Sequence, residues 1–292
     1  MTTISDWWAG ARPRTLPAAV VPVVVGAAAA VAWADALDQV TWWRVVAALA
    51  VSLLLQIGVN YANDYSDGVR GTDDVRVGPM RLVASGTAPA GAVKRAALLM
   101  FGLAALIGLA LAATTTWWLL AVGAAAILAA WGYTGGPKPY GYLGLGELFV
   151  FTFFGLVATV GTTYVAIEHV PAVAWPAAVG VGSLACALLV VNNLRDIPTD
   201  TVAGKRTLAV RLGDRATRRF YVLLVMAAVV CAGVCAFWQP WALLGVLALV
   251  VAIKPIKAVF DGAQGPALIP VLGATGKVQL AYGAFLALAL VL

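Results

Sequence analysis

The sequence predicts an all-α protein, a polytopic membrane bundle of about nine transmembrane helices around a central cavity. The chain has 292 residues, of which 62% are hydrophobic and only 11% are charged, and its mean hydropathy is +0.93. Its apolar residues form long runs separated by short polar or Gly/Pro-containing segments. Because a helix needs about 20 apolar residues to cross a bilayer, the length allows about eight or nine crossings and no separate soluble domain. We therefore expect one membrane domain over residues 1–292.

The apolar runs give candidate spans along the whole chain. In chain order they are Leu16 to Ala34, Trp43 to Tyr61, Val93 to Ala113, Trp117 to Tyr133, Gly146 to Ile167, Val173 to Leu194, Phe220 to Trp238, Trp241 to Ile253 and Val278 to Leu292. The eighth is short for a crossing, so it is expected to be tilted or extended. Pro266 to Ala274 is a candidate half-helix between spans eight and nine.

The basic residues predict the orientation of these spans. Nearly all Lys and Arg fall in segments that alternate spans place on one side, and only Arg44 falls on the other. The positive-inside rule then places the N-terminus and the basic loops in the cytoplasm and the C-terminus outside. Membrane topology accounts for the net charge of +6, so no nucleic-acid partner is expected. The partner of the apolar surface is the lipid bilayer of a cell membrane.

Two clusters of Asn and Asp stand at the predicted cytoplasmic ends of spans two and six. Their members are Asn60, Asp64 and Asp67 in the first cluster and Asn192, Asp196 and Asp200 in the second. The spacings i, i+4, i+7 and i, i+4, i+8 place each set on one stripe of a helix. Carboxylates at a helix C-terminus repel each other and the helix dipole unless a cation neutralises them. Oxygen ligands of this kind suit Mg²⁺, so the six residues are candidate metal ligands and the four Asp are candidate catalytic residues.

Basic residues follow both acidic clusters, as a diphosphate substrate requires. Arg76 follows the first cluster, and Lys205 and Arg206 follow the second. Arg and Lys donate to diphosphate oxygens while metal ions bridge them, so these three residues are candidate diphosphate ligands. The alternative is that they only enforce the membrane topology.

The Gly/Pro-rich segment between spans four and five lies on the same predicted side. It runs from Tyr133 to Glu147 and contains Lys138 and Tyr140. Its tyrosines and Lys138 are candidates for binding an anionic aromatic ring. The alternative is an interfacial turn whose long side chains reach the headgroups.

These motifs together resemble the UbiA superfamily of intramembrane prenyltransferases. The resemblance lies in the Asn-x-x-x-Asp-x-x-Asp cluster, the Asn-Asn-Leu-Arg-Asp-x-x-x-Asp cluster, the Tyr-Thr-Gly-Gly-Pro-Lys-Pro-Tyr-Gly-Tyr segment and the Gly-Lys-Arg-Thr-Leu-Ala-Val-Arg-Leu-Gly stretch. Within the superfamily the sequence is most similar to the MenA type, the 1,4-dihydroxy-2-naphthoate polyprenyltransferases. The early Arg12-Pro-Arg14-Thr-Leu-Pro17 run also fits, so the resemblance covers nearly the whole chain.

The resemblance implies an activity and the role of each matching residue. The activity is Mg²⁺-dependent transfer of a polyprenyl group from polyprenyl diphosphate to 1,4-dihydroxy-2-naphthoate, with loss of CO₂ and diphosphate, to give demethylmenaquinone. Two Mg²⁺ ions would be held by the two clusters, the diphosphate by the three basic residues, and the acceptor near Lys138 and Tyr140. Asp67, or a water ordered by it, is a candidate base. Pro198 is expected to bend or end the helix before Asp200, which leaves direct ligation by Asp200 open.

Three other functions are compatible with parts of this pattern. A UbiA-type enzyme with another acceptor, such as 4-hydroxybenzoate, would share every motif. An ion-coupled transporter would place carboxylates near the midplane, whereas here they lie at one interface. The CDP-alcohol phosphotransferases carry Asp-Gly-x-x-Ala-Arg, but here Asp67-Gly68 is followed by Val69-Arg70-Gly71.

Overall fold

The computed structural model describes residues 2–34, 37–72 and 80–292. Within these ranges the chain forms helices and turns, and no strand occurs. The helices are α1 Ile4–Gly10, α2 Pro17–Trp33, α3 Trp42–Arg70, α4 Ala90–Thr114, α5 Trp118–Gly132, α6 Gly146–Ile167, α7 Ala174–Val202, α8 Leu208–Cys235, α9 Pro240–Phe260 and α10 Gly265–Val291. The predicted all-α fold is confirmed.

Each predicted span coincides with one of the helices from α2 to α10. In the described part of the chain, 7 helices are individually long and apolar enough to cross a membrane. The N-terminal segment and α2 form an eighth candidate, bent by 53°. The remaining helix, α5, has 15 residues, fewer than the roughly 20 of a full crossing. The protein is therefore a multi-pass membrane protein.

One expectation that involved proline is wrong, and another is wrong in part. The half-helix expected over Pro266 to Ala274 is instead the beginning of α10. Pro266 lies in its first turn, where a missing N–H breaks no helical hydrogen bond. Pro198 does not end its helix either, because α7 continues past it to Val202. The second acidic cluster, up to Asp200, therefore lies on one continuous helix.

Helix α7 lies at the centre of the bundle. In its apolar window 78% of the residues are buried, against 28% in α3 or α8. Small residues permit this close packing: a Cβ placed on Gly155 of α6 would lie 2.6 Å from the Gly182 Cα of α7. The outward faces of the surrounding helices carry exposed Leu, Val, Phe and Trp, as a lipid-facing surface requires.

Arg44 ties three helices together at the end of the bundle opposite the acidic clusters. Its guanidinium makes a 2.6 Å ion pair with Glu168 and donates to the carbonyl of Val165 at 3.3 Å. It also donates to the carbonyl of Thr114 at the C-terminus of α4. The single basic residue on the predicted outer side therefore joins α3, α4 and α6.

Candidate active site

A cavity of about 390 Å³ opens between the helices at the end where α3 and α7 terminate. Its polar end contains side chains from both acidic clusters, including Asp67, Asp196 and Asp200. Its remaining wall is mostly apolar and includes Leu111 of α4 and Phe153 of α6. A π-helical stretch of α6, Phe151–Val157, forms part of this apolar wall. The cavity thus joins a charged mouth to an apolar chamber within the bundle.

The first cluster divides into residues that hold the protein together and a residue that faces the cavity. Asn60 lines the cavity, but its amide donates to the Ala11 carbonyl at 2.9 Å and to Thr15 Oγ1 at 3.1 Å. Asp64 is fully buried, and its two oxygens accept the backbone N–H groups of Leu82 at 2.8 Å and Val83 at 3.0 Å. Asp64 therefore anchors the segment before α4, and it is absent from the cavity lining.

Asp67 is the point where several elements meet. It is 3% exposed and lines the cavity. Its Oδ1 accepts the Tyr142 hydroxyl at 2.6 Å and lies 3.5 Å from Lys205 Nζ. Its Oδ2 lies 3.6 Å from Arg81 Nη2. Two cations and a phenol from three separate segments therefore surround one carboxylate.

The second cluster is held together mainly within its own helix. Arg195 donates to both oxygens of Asp196, at 2.7 and 2.6 Å, and to Asn192 Oδ1 at 3.0 Å. Asn192, Asp196 and Asp200 all line the cavity. A metal ion bound here would compete with Arg195 for the oxygens of Asp196.

Lys205 connects the two clusters directly. Its ammonium lies beside Asp67, and its backbone N–H donates to the Asp200 carbonyl at 2.8 Å. The ammonium also lies 4.7 Å from the centre of the Tyr142 ring, a cation–π distance. The two clusters and Lys205 therefore lie at one place in the structure.

The segment 133–145 covers the charged mouth. A Cβ on Gly141 would lie 2.6 Å from the Tyr133 carbonyl, so only glycine permits this close return of the chain. Burial raises the pKa of Tyr142 above its ordinary value, and the negative charge of Asp67 raises it further. The Tyr142 hydroxyl therefore stays protonated and donates to Asp67.

Of the predicted substrate ligands, one lies outside the residues that the structure describes. Two others are exposed and do not line the cavity. Arg76 falls among residues 73–79, outside the described residues. Arg206 is exposed and does not line the cavity, although its backbone N–H donates to the Tyr142 carbonyl at 2.9 Å. Lys138 is exposed and is likewise absent from the lining. The geometry gives neither Arg206 nor Lys138 a place against a substrate in the cavity.

Tyr140 lines the cavity through its ring, as expected, but its hydroxyl is already used. The hydroxyl donates to the Ala129 carbonyl at 2.9 Å. The ring stacks on Phe149, with centroids 4.0 Å apart and an interplanar angle of 22°. Phe149 is followed by the nearly parallel ring of Phe153, 6.2 Å away. Tyr140 therefore begins an aromatic wall that continues into the apolar chamber.

Sequence reasoning did not single out Asn63, Arg81 and Asn193, which are among the polar residues that line the cavity. Asn63 stands four residues before Asp67 and Asn193 three residues before Asp196, helical spacings that were available in the sequence. Arg81 has no such signal, because its position depends on how the segment before α4 packs.

The available ligands fit Mg²⁺ but do not form a closed cage. Among the described residues, no three His, Cys, Asp or Glu converge as a metal-binding group. The oxygen atoms of Asn63, Asp67, Asn192, Asp196 and Asp200 instead line a shared opening. Mg²⁺ is commonly held by one or two carboxylates, with substrate phosphates and waters completing its octahedron. The site therefore suits a magnesium ion that arrives with a diphosphate.

A helical membrane bundle with two Asp-bearing helix ends at the mouth of an apolar cavity defines an intramembrane enzyme of prenyl-transfer type. The chain belongs to the UbiA prenyltransferase family, whose model matches residues 19–291.

Two curated relatives and one solved structure are similar over nearly the whole chain. The 1,4-dihydroxy-2-naphthoate octaprenyltransferase of Mycobacterium tuberculosis is 52% identical over 97% of this chain and 95% of its own length. The enzyme of the same name from Escherichia coli is 37% identical over 94% of this chain and 91% of its own. A UbiA homolog from Archaeoglobus fulgidus, solved with GPP and Mg²⁺, has the same fold, with a TM-score of 0.68 and 15% identity. That alignment covers 98% of this chain and 99% of the homolog.

Proposed function

We propose that the protein transfers a polyprenyl group from polyprenyl diphosphate to 1,4-dihydroxy-2-naphthoate in a Mg²⁺-dependent reaction of menaquinone biosynthesis. CO₂ and diphosphate leave, and the reduced product, demethylmenaquinol, forms. The observation that carries this function is the meeting of Asp67, Asp196 and Asp200 at the charged mouth of an otherwise apolar cavity. The names of the Mycobacterium tuberculosis and Escherichia coli relatives support the same acceptor and donor.

The proposed metal ligands follow the cavity lining. Asn63 and Asp67 would hold one Mg²⁺ ion, and Asn192, Asp196 and Asp200 would hold a second. Asn60 is a further candidate ligand through its side-chain oxygen, because its nitrogen faces Ala11 and Thr15. Asp64 keeps a supporting role, because both its oxygens accept backbone N–H groups. The Mg²⁺ in the Archaeoglobus fulgidus homolog supports a divalent ion in this fold.

The charged and apolar parts of the cavity divide the substrates between them. Lys205 and Arg81, on either side of Asp67, bind the diphosphate. When bound, Mg²⁺ neutralises charge on the leaving diphosphate and so favours cleavage of the allylic C–O bond. The apolar wall, including Phe153, receives the prenyl chain and excludes water from the allylic carbon. The aromatic wall that begins at Tyr140 is the proposed place for the naphthalene ring.

The proposal includes an orientation and a single functional unit. The acidic mouth and the N-terminus face the cytoplasm and the C-terminus faces outward, because Lys and Arg concentrate at the mouth end. Residues 1–292 act as one domain, since helices from α2 to α7 all contribute to one cavity.

An acceptor-choice assay tests this function. Purified protein in nanodiscs receives Mg²⁺, octaprenyl diphosphate and either 1,4-dihydroxy-2-naphthoate or 4-hydroxybenzoate, and mass spectrometry follows the products. We expect prenylated naphthoquinol with release of CO₂, and no product when EDTA is present. Prenylation of the benzoate alone would overturn the acceptor, and metal-independent product would overturn the role of Mg²⁺.

A further inference from the structure

Glu147 is a buried carboxylate that the proposed metal and diphosphate sites do not use. It lies in the first turn of α6 and is 6% exposed. Within residues 2–34, 37–72 and 80–292 it makes no ion pair with Lys, Arg or His. Its Oε2 atom is buried and has no hydrogen-bond partner among those residues. Burying a polar oxygen without a partner is unfavourable, which indicates a function.

The other oxygen of Glu147 fixes the orientation of Asn193. Glu147 Oε1 accepts a hydrogen bond from Asn193 Nδ2 at 3.0 Å. In this hydrogen bond the Asn193 amide turns its NH₂ group toward Glu147. The side-chain oxygen of Asn193 then points away from Glu147, and Asn193 lines the cavity. No residue in the described ranges donates a hydrogen bond to that oxygen.

The surroundings of this pair suit an aromatic ring. A Cβ placed on Gly146, the residue before Glu147, would lie 3.2 Å from Tyr133 Cε2. Tyr133 lines the same cavity, and Phe149 of the aromatic wall stands two residues after Glu147. Asn193 therefore lines the same cavity as Tyr133 and Phe149.

We propose that Asn193 recognises the acceptor by accepting a hydrogen bond from its ring hydroxyl, and that Glu147 is the positioning residue that presents the Asn193 oxygen. This inference rests on the proposed function and names a specificity determinant of the same site. The cations Lys205 and Arg81 beside Asp67 attract the carboxylate of an aromatic acid and so orient its ring in the cavity. The pair thus selects a hydroxylated ring and sets which edge faces α7.

Exchanging the hydrogen-bond donor and acceptor between Glu147 and Asn193 distinguishes acceptor recognition from a purely structural role. Asn193→Asp places two carboxylates together and should raise the KM for 1,4-dihydroxy-2-naphthoate at least about 10-fold. Glu147→Gln permits either amide orientation and should raise it about 3- to 10-fold. The double variant Glu147→Gln/Asn193→Asp restores one donor facing one carboxylate and again leaves an acceptor oxygen toward the cavity. We expect it to recover the acceptor KM to within about 3-fold of the wild type.

Two further measurements keep the test independent of folding. The KM for octaprenyl diphosphate and the Mg²⁺ dependence should stay within about 2-fold in these variants, because the pair acts on the acceptor. In the wild type, 1-hydroxy-2-naphthoate should inhibit at least about 5-fold more tightly than 1-methoxy-2-naphthoate, which lacks the donor. Tyr221→Phe is the matched control: it removes a buried hydroxyl bond to Thr275 in a separate part of the core, and it should leave the acceptor KM unchanged.

Several results would overturn the inference. Equal inhibition of the wild type by the hydroxy and methoxy compounds would remove the proposed hydrogen bond. A change in diphosphate KM or Mg²⁺ dependence without a change in acceptor KM would assign Asn193 to the metal site instead. A reversed pair that folds but behaves like Asn193→Asp would remove the positioning role of Glu147. The wild-type activity itself tests the proposed function, so failure of the inference is distinguishable from failure of that function.

Discussion

The two acidic clusters look alike in sequence but are held in different ways. Asp64 and Asp67 of the first cluster bind partners far along the chain, namely the backbone at Leu82 and Val83 and the side chains of Tyr142 and Lys205. In the second cluster, both carboxylate oxygens of Asp196 accept hydrogen bonds from Arg195, its neighbour on α7. The first cluster therefore organises the cover of the cavity, whereas in the second Arg195 of the same helix holds Asp196.

This difference predicts how the two clusters respond to substitution. A carboxylate that holds loops supports both folding and chemistry, and its loss should affect both. A carboxylate held within one helix should affect the chemistry with little effect on the fold. Within the first cluster the same division separates Asp64 from Asp67, because only Asp67 lines the cavity.

The largest effects are expected at the carboxylates that face the cavity. Asp67→Asn and Asp196→Asn should each lower kcat/KM roughly 100- to 1000-fold, because each removes charge that stabilises the departing diphosphate through Mg²⁺. Steady-state prenylation of 1,4-dihydroxy-2-naphthoate measures this. Activity within a few-fold of the wild type in either folded variant would contradict the assignment.

Asp64 should show a stability effect that Asp196 does not. Asp64→Ala leaves two backbone N–H groups without their acceptor, and charge-assisted bonds of this kind contribute about 1.5–3 kcal/mol each. We expect the thermal midpoint in detergent to fall by about 5–15 °C, compared with less than about 3 °C for Asp196→Asn. Equal thermal unfolding midpoints for the two variants would contradict the proposed difference between the clusters.

The two neighbouring cations after α7 should differ sharply. Lys205→Ala removes the ammonium between Asp67 and Tyr142 and should raise the KM for the prenyl diphosphate about 10- to 100-fold. Arg206→Ala, the matched control, removes an exposed side chain and should change it by less than about 3-fold. Initial rates over a range of prenyl diphosphate concentrations give both KM values. A larger increase in KM for Arg206→Ala than for Lys205→Ala would contradict the proposed diphosphate site.

Tyr142 should have a smaller effect, because it acts through Asp67. Tyr142→Phe keeps the ring beside Lys205 but removes the 2.6 Å hydrogen bond to Asp67. We expect kcat to fall about 5- to 10-fold with the fold intact. Lys138→Ala, on the same covering segment but exposed, should change the rate by less than about 2-fold. A larger loss for Lys138→Ala than for Tyr142→Phe would restore Lys138 as an acceptor ligand.

Much of this fold follows from the sequence because lipid imposes simple rules. Apolar runs predict the positions of the helices from α2 to α10, and the Asn/Asp spacing predicts that polar stripes end α3 and α7. These rules do not give the rotation of a helix about its axis. Asn63 and Asp64 differ by one residue, about 100° around α3, and the contacts of Asp64 with the segment before α4 decide which of them faces the cavity.

Other features depend on tertiary contacts that no local pattern records. Pro198 was expected to bend or end its helix, yet α7 continues past it to Val202. Lys138 and Arg206 belong to motifs rich in glycine and charge, but only the path of the folded loop shows that both are exposed. The Glu147 and Asn193 pair joins residues 46 positions apart and has no signal in either local sequence.

The most direct test of the account measures metal binding at the two clusters. Mn²⁺, a paramagnetic substitute for Mg²⁺, can be counted by electron paramagnetic resonance in protein saturated with a non-reactive thiodiphosphate analogue of the prenyl donor. We predict two bound ions in the wild type and in Arg206→Ala, and about one ion in Asp67→Asn and in Asp196→Asn. Undiminished Mn²⁺ binding in both Asp variants would contradict the claim that the two clusters hold the metal at this cavity.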